Sequence, residues 1–138
     1  MNIFVDANIL VSVLNKEYPL FTYTSRILSL ASHRKYKVFT SPLCLGIAYY
    51  FAEKKCKSTA RQKLDLLIEH LSITTIDEKI VRRIKNNKAI QDFEDGMEYY
   101  SALRAKCDCI ITQDLNDFYF SEIEVFDAEN FINRYFGS

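Results

Sequence analysis

Residues 2–10 read NIFVDANIL: an apolar run ends on an acid, Asp6, and Asn8 leads into a second apolar run. Asn2 to Val5 suit a short strand, and Ile9, Leu10, Val13 and Leu14 recur at helical spacing. A carboxylate at the end of a buried strand is costly to desolvate unless something compensates it. The identity of that compensation decides how the rest of the chain is read.

Outward from this stretch, strands and helices alternate. A helix is expected from about Pro19 to Arg34, then a strand over Lys37 to Ser41. Pro42 opens a helix running through Tyr49, Tyr50 and Phe51 to the basic run Lys54, Lys55 and Lys57. Ser58 suits the N-cap of a further helix with Ala60, Leu64, Leu67 and Leu71 inward. Ile73 to Ile76 read as a third strand, and Asp77 caps a helix containing Ile80, Val81 and Ile84. FEDGMEYYSALRAK (93–106) is helical, CIIT (109–112) is a fourth strand, EVF (124–126) a short fifth, and Ala128 to Phe136 a closing helix. This order predicts an α/β domain, residues 1–138, around a mainly parallel sheet of four to five strands with right-handed connections.

Composition narrows the function. Lys plus Arg and Asp plus Glu both number 18, so there is no global pull towards nucleic acid and any basic footprint must be local. Two such local groups exist: Lys54, Lys55, Lys57, Arg61 and Lys63, and then Arg82, Arg83, Lys85 and Lys88. A solvated helix face accounts for either group, and so does a track for a phosphate backbone. No stretch reaches the ~18 apolar residues of a membrane span, and Asp6 stands where a secretory signal would carry its apolar core. A cytoplasmic location is expected. The four cysteines (Cys44, Cys56, Cys107, Cys109) contain no C-x-x-C pair, and His33 and His70 are not at ligand spacing from them, so no zinc site is expected.

In open parallel sheets, ligands sit beyond the carboxyl ends of the strands, at a switch in strand order. Asp6 follows the first strand, Asp114 and Asp117 follow the fourth, and Asp95 lies in the first turn of the helix before it. Taken singly, each also suits a helix cap or a turn. Taken together, they converge if the first and fourth strands are neighbours. Two carboxylates ~4 Å apart repel by about 4 kcal/mol at an effective dielectric near 20. Such a cluster either holds protons or binds a divalent cation, and oxygen ligands favour Mg²⁺ or Mn²⁺. Asn8 and Thr112 are placed to orient Asp6 and Asp114 rather than to ligate. Tyr49, Tyr50 and Phe51 cannot all face one core, which points to a dimer or partner surface.

FVDANIL, DFEDGMEYYSAL and CDCIITQDLNDF, in that order, resemble the PIN domain, in particular the VapC-like toxins of prokaryotic toxin–antitoxin pairs. The resemblance implies a three-layer α/β/α sandwich. It implies a Mg²⁺- or Mn²⁺-dependent endoribonuclease acting on RNA and inhibited by a cognate antitoxin; a homodimer is expected from the aromatic run Tyr49, Tyr50 and Phe51. Carried over by motif, Asp6, Asp95 and Asp114 match metal ligands, and Asp117 completes the site or acts through water. Glu94, beside Asp95, reaches the site through a water or faces outward. The resemblance also implies a Glu on the helix after the second strand, but the position falls near Gly46 or Ile47. Glu94, or more distantly Glu98, is left to compensate. A second reading is therefore a catalytically weak or inactive PIN-like module that binds RNA or protein. A phosphotransfer enzyme of the haloacid-dehalogenase type would need D-x-D where this chain has Asp-Ala-Asn, and a receiver domain places its Asp after a later strand.

Overall fold

The structure is a computed structural model describing residues 1–137. Five strands, β1 (Asn2–Val5), β2 (Lys37–Thr40), β3 (Ser72–Ile73), β4 (Cys109–Ile111) and β5 (Glu124–Phe126), form one parallel sheet in the order β3-β2-β1-β4-β5. The helices are α1 (Ala7–Leu14), α2 (Phe21–Ser29), α3 (Pro42–Lys55), α4 (Ala60–His70), α5 (Glu78–Lys85), α6 (Phe93–Arg104) and α7 (Ala128–Phe136). They flank the sheet as expected for an α/β fold.

β1 lies at the centre because its side chains are apolar on both faces. Ile3, Phe4 and Val5 are all fully buried, the pattern of a parallel strand covered by helices on each side. Phe4 pairs with Phe39 of β2 and with Ile110 of β4. The chain steps from β1 to β2 to β3 in one direction, then returns across β1 to reach β4. Right-handed connections running in opposite directions place their helices on opposite faces and open a crevice at the reversal. That reversal lies between β1 and β4.

Several element ends differ from the sequence expectation for local reasons. The strand expected over Ile73–Ile76 covers only Ser72–Ile73, with one more ladder bond from Thr74 N to Thr40 O. The Thr74 hydroxyl then donates to Ser101 Oγ of α6, drawing the chain off the sheet edge. The second helix stops at Ser29 and tightens into a 3-10 turn over Leu30–Ser32. The α4 boundary residue is Thr59 rather than Ser58, and its hydroxyl donates to Cys56 Sγ instead of capping. Caps at Ser41, Asp77, Asp92 and Asp127 are made by side chains that accept backbone N–H groups. Gly96 permits α6 to lie close on α5, since an added Cβ would stand 3.0 Å from both Ile84 and Ile90.

α6 ends on a left-handed residue, Lys106 (φ 60°), followed by a bond from Cys107 N back to Ala102 O. A lysine there bears the Cβ strain that glycine avoids. Lys106→Gly is expected to stabilise the protein by about 0.5–1 kcal/mol. Urea denaturation reads this as a higher midpoint with an unchanged slope; an unchanged or lower midpoint contradicts it.

Candidate active site

The ladder between β1 and β4 continues one residue past the strands, with Asp6 N donating to Ile111 O at 3.0 Å. This sets Asp6 beside Thr112. The Thr112 hydroxyl donates to Asp6 Oδ2 at 2.7 Å and accepts Asp114 N at 3.0 Å. Asp6 Oδ1 accepts Ala7 N at 2.6 Å, capping α1. Asp6 is thus a helix cap as well as a site residue, and its carboxylate is held from both sides.

Asn8 ties the same corner together. Its amide nitrogen lies 3.1 Å from Asp114 Oδ2, 3.2 Å from Thr112 Oγ1 and 3.4 Å from Asp6 Oδ2. Its carbonyl accepts Gln113 N at 3.1 Å. It therefore clamps the loop after β4 onto the start of α1. Asp117 follows on a 3-10 turn over Leu115–Phe118, and both it and Asp114 are solvent-exposed.

Asp95 enters from the opposite wall. Asp92 caps α6, accepting Glu94 N at 2.8 Å and Asp95 N at 3.4 Å. This orders the first turn of α6, on which Glu94 and Asp95 face the cavity. The result is a cavity of about 420 Å³ whose walls carry Asp6, Glu17, Asp92, Glu94, Asp95, Glu98, Asp114 and Asp117. Val11, Ile47 and Phe51 form its apolar side. Among the described residues, no Lys, Arg or His lines it, and none of these eight acids is in a salt bridge.

All four acids singled out in the sequence, and Glu94, line this cavity. Four further groups were missed or misplaced, among them Glu17, which follows α1 and lines the cavity without any signal in its spacing. Glu98, placed as the more distant compensator, is nearer to Asp6 than expected and is 1% exposed. Its Oε1 accepts the Cys44 thiol at 3.1 Å, and one ligand atom each of Asp6, Cys44 and Glu98 lies within 4.8 Å of the others. The spacing of Asp95, Glu98 and Ala102 along one face of α6 was the available signal. Asp92 was readable as an N-cap, but its place in the cavity depends on where α6 docks. Cys44 is brought in by the fold, although sequence spacing gave no reason to group it with these acids. The expected Glu on α3 is absent: Ile47 lines the cavity and Gly46 borders the neighbouring groove.

The electrostatics follow from burial and like charge. Burial first, and then the neighbouring Asp6 carboxylate, push Glu98 up to about 11. Burial, reinforced by Asp92, Asp117, Asp6 and Glu94, raises Asp95 to about 7. Glu94 and Asp117 are raised in the same sense. The Cys44 thiol is also held well above its usual range, by burial and then by Glu98 and Asp6. Carboxylates packed without counter-charge, facing a cavity through oxygen atoms, form the donor set that a hard divalent cation takes. The residues present therefore fit such an ion.

The basic groups are partly committed elsewhere. Lys55 Nζ donates to Asn15 O at 2.8 Å and Lys63 Nζ to Leu14 O at 3.3 Å, closing the C-terminus of α1. Arg82 pairs with Glu78, and Arg83 lies over the Tyr100 ring at 4.2 Å. Tyr50 and Phe51 are exposed and line an apolar groove with Pro42, Leu43, Gly46 and Ile47 that continues into the acidic cavity.

The PIN domain family model matches residues 2–116. Ribonuclease VapC1 of Aquifex aeolicus (strain VF5) is 26% identical over 137 residues, which cover 96% of this chain and 94% of that protein. Among solved structures, PAE2754 from Pyrobaculum aerophilum superposes with a TM-score of 0.69 at 16% identity, covering 97% of this chain and 94% of the other. VapBC2 from Rickettsia felis, solved bound to a promoter DNA fragment, gives 0.66 at 20% identity, covering 92% and 98%. No helix among the described residues is long and apolar enough to cross a membrane.

Because Glu98 holds its proton far more tightly folded than unfolded, its contribution to stability is complete below about pH 4.5 and declines as pH rises towards 11. With chelator present, the protein is expected to be less stable at pH 8 than at pH 5. Glu98→Gln is expected to remove about 1–3 kcal/mol of that difference. Denaturant melts at the two pH values measure it; an equal loss in both proteins would place the effect elsewhere.

Proposed function

This chain belongs to the PIN domain family, and from that premise we propose that it is a divalent-cation-dependent endoribonuclease, the toxin of a toxin–antitoxin pair. The observation that carries the reading is one cavity, across the β1–β4 reversal, lined by eight carboxylates and no cationic side chain. An RNA phosphate would be repelled from such a surface unless bound cations reversed its sign. The ribonuclease name of the Aquifex aeolicus relative supports the reaction.

Asp6, Asp95 and Asp114 would hold a Mg²⁺ or Mn²⁺ ion, with Asp117 completing the site or acting through water. When bound, such an ion supplies a positive charge that acidifies an attacking water and offsets charge developing on the phosphate. The chain's own work is positioning. Thr112 and Asn8 hold Asp6 and Asp114 in fixed orientation, as outer partners of ligating carboxylates do. The Asp92 cap orders the helical turn that carries Asp95. Val11, Ile47 and Phe51 keep one wall of the cavity apolar, which strengthens every charge interaction across it. The exposed groove along α3, continuous with the cavity, offers Tyr50 and Phe51 to an antitoxin segment or to a second copy. The VapBC2 likeness is consistent with an antitoxin partner.

The second reading, a binding module without catalysis, is favoured by Ile47 in the cavity wall where the family resemblance calls for a carboxylate. Two measurements separate the readings. Mn²⁺ at about 100 times its Kd is expected to raise the Tm by roughly 10 °C. A panel of structured RNAs is expected to be cut in Mg²⁺ or Mn²⁺. Asp6→Asn, which preserves the helix cap, is expected to cut at least ~100-fold more slowly, exceeding the 10–100-fold typical of losing an outer partner. No Mn²⁺ shift, or cleavage undiminished in Asp6→Asn, contradicts the nuclease reading; a shift without cleavage favours the binding module.

A further inference from the structure

The surface leaves the acidic cavity in two directions from Phe51, and the two differ in chemistry. Towards the start of α3 runs the apolar groove of Pro42, Leu43, Gly46 and Tyr50, with no cation among its described lining residues. Towards the end of α3 the surface becomes cationic. Phe51 is 46% exposed and forms part of the cavity wall. Lys54 and Lys55 follow it at i+3 and i+4, on the same helical face, and both are exposed.

The ammonium groups here are held in place. Lys54 Nζ lies 4.5 Å from the centroid of the Tyr50 ring, and Tyr50 packs edge-on against Phe51, their centroids 5.3 Å apart at 82°. Lys55 Nζ donates to Asn15 O at 2.8 Å and Lys63 Nζ to Leu14 O at 3.3 Å, so two ammonium groups meet at the C-terminus of α1. Two residues beyond Asn15, Glu17 lines the cavity, which places Lys55 at its mouth. An ammonium has three donors, so one bond to a carbonyl leaves two for an anion. Among the described residues, none of Lys54, Lys55 and Lys63 is in a salt bridge. Glu53, the acid within this stretch of α3, is turned to the Tyr49 hydroxyl.

The order along the surface is therefore a carboxylate-lined cavity, an exposed ring, and then unpaired ammonium groups. A nucleic-acid strand presents the matching order: a phosphate for a cation held by the acids, a base for the ring, and further phosphates for the lysines. A base reaches an exposed ring only when it is unstacked from its neighbours, which selects a single strand. We propose that Phe51, Lys54 and Lys55 are the track of a single-stranded RNA substrate, Phe51 stacking on a base beside the scissile phosphate and the two lysines holding the phosphates beyond it. None of the three reacts; they set which stretch of strand lies over the acids. The place of the scissile phosphate rests on the nuclease reading, whereas the track rests on the ring and the ammonium groups.

The probe is a fluorescein-labelled oligouridylate of about 12 nucleotides, its binding to the full chain followed by anisotropy in Ca²⁺ and its integrity checked on a gel. Lys54→Gln combined with Lys55→Gln is expected to lower the slope of log affinity against log salt by about 1.4. Phe51→Leu is expected to weaken binding roughly 5- to 150-fold, with Phe51→Trp restoring it. Affinity for a duplex of the same length is expected to be unchanged by Phe51→Leu. For an RNA that the wild type cuts in Mn²⁺, the lysine pair variant is expected to raise KM at unchanged kcat. If the lysines only close the end of α1, the Tm of the free protein falls while slope and KM stay put, which overturns the track. Loss of slope in Lys85→Gln with Lys88→Gln, in place of the α3 pair, assigns the phosphates to the other basic group and overturns it too. So does light scattering that shows a dimer dissociated by Phe51→Leu with RNA affinity unchanged, since the ring then faces a second copy. RNA cut by the wild type with slope and KM unchanged in the lysine variant removes the track alone. Slope and stacking losses with no cleavage by the wild type sink the nuclease reading and leave the track standing.

Discussion

The hydrogen bond from the Thr112 hydroxyl to Asp6, 2.7 Å long, joins residues 106 positions apart and is possible because β1 and β4 are neighbours in the sheet. Every other feature of the site depends on that pairing. It brings the loop carrying Asp114 and Asp117 over the start of α1, where Asn8 can clamp it. It also makes the strand order reverse at this point, so that α6 crosses the crevice edge and delivers Asp95 and Glu98. Without the β1–β4 pair, these carboxylates would be separate helix caps and turn residues with no shared cavity.

Much of this was legible in the sequence, and the reason is covalent proximity to strand ends. An acid directly after a predicted strand has a known place in a parallel sheet, so Asp6, Asp114 and Asp117 could be assigned to one edge before any coordinates. Asp95 followed from its place in the first turn of a helix that precedes a strand. The elements themselves were found because breakers are scarce and apolar spacing is clear. Their ends were not, since the termination of β3 depends on Thr74 reaching Ser101 of α6, a tertiary bond with no local signal.

Glu98 and Cys44 show where sequence reasoning runs out. An acid three residues past Asp95 on the same helical face was visible, but its burial depends on how deeply α6 docks. That depth is set partly by Gly96 against Ile84 and Ile90, and by Ala102, which is fully buried. Cys44 was excluded from metal chemistry on the spacing of cysteines and histidines. Spacing rules find groups supplied by one local segment, whereas Asp6, Cys44 and Glu98 meet only in the fold, from the start of α1, from α3 and from α6. At the departure near Gly46 and Ile47, read as one acid fewer, the structure places Ile47 in the cavity wall, while Glu98 of α6 is buried beside Asp6.

That change alters the physics of the site. A carboxylate at position 47 would face the cavity from the α3 wall, where Phe51 also stands; Ile47 makes that wall apolar. The charge is instead concentrated on the β1, β4 and α6 side. Repulsion between close carboxylates, about 4 kcal/mol per pair at ~4 Å and an effective dielectric near 20, is comparable with the 5–15 kcal/mol that typically separates folded from unfolded domains. The fold tolerates the cluster because Asp95 and Glu98 hold protons more tightly than isolated carboxyls do. Those protons lower the charge that the cluster carries. Thr112 and Asn8 orient Asp6 and Asp114 by donating to their carboxylates, which also favours the charged forms, whereas Asp92 orders the first turn of α6 and adds its own charge to the cluster.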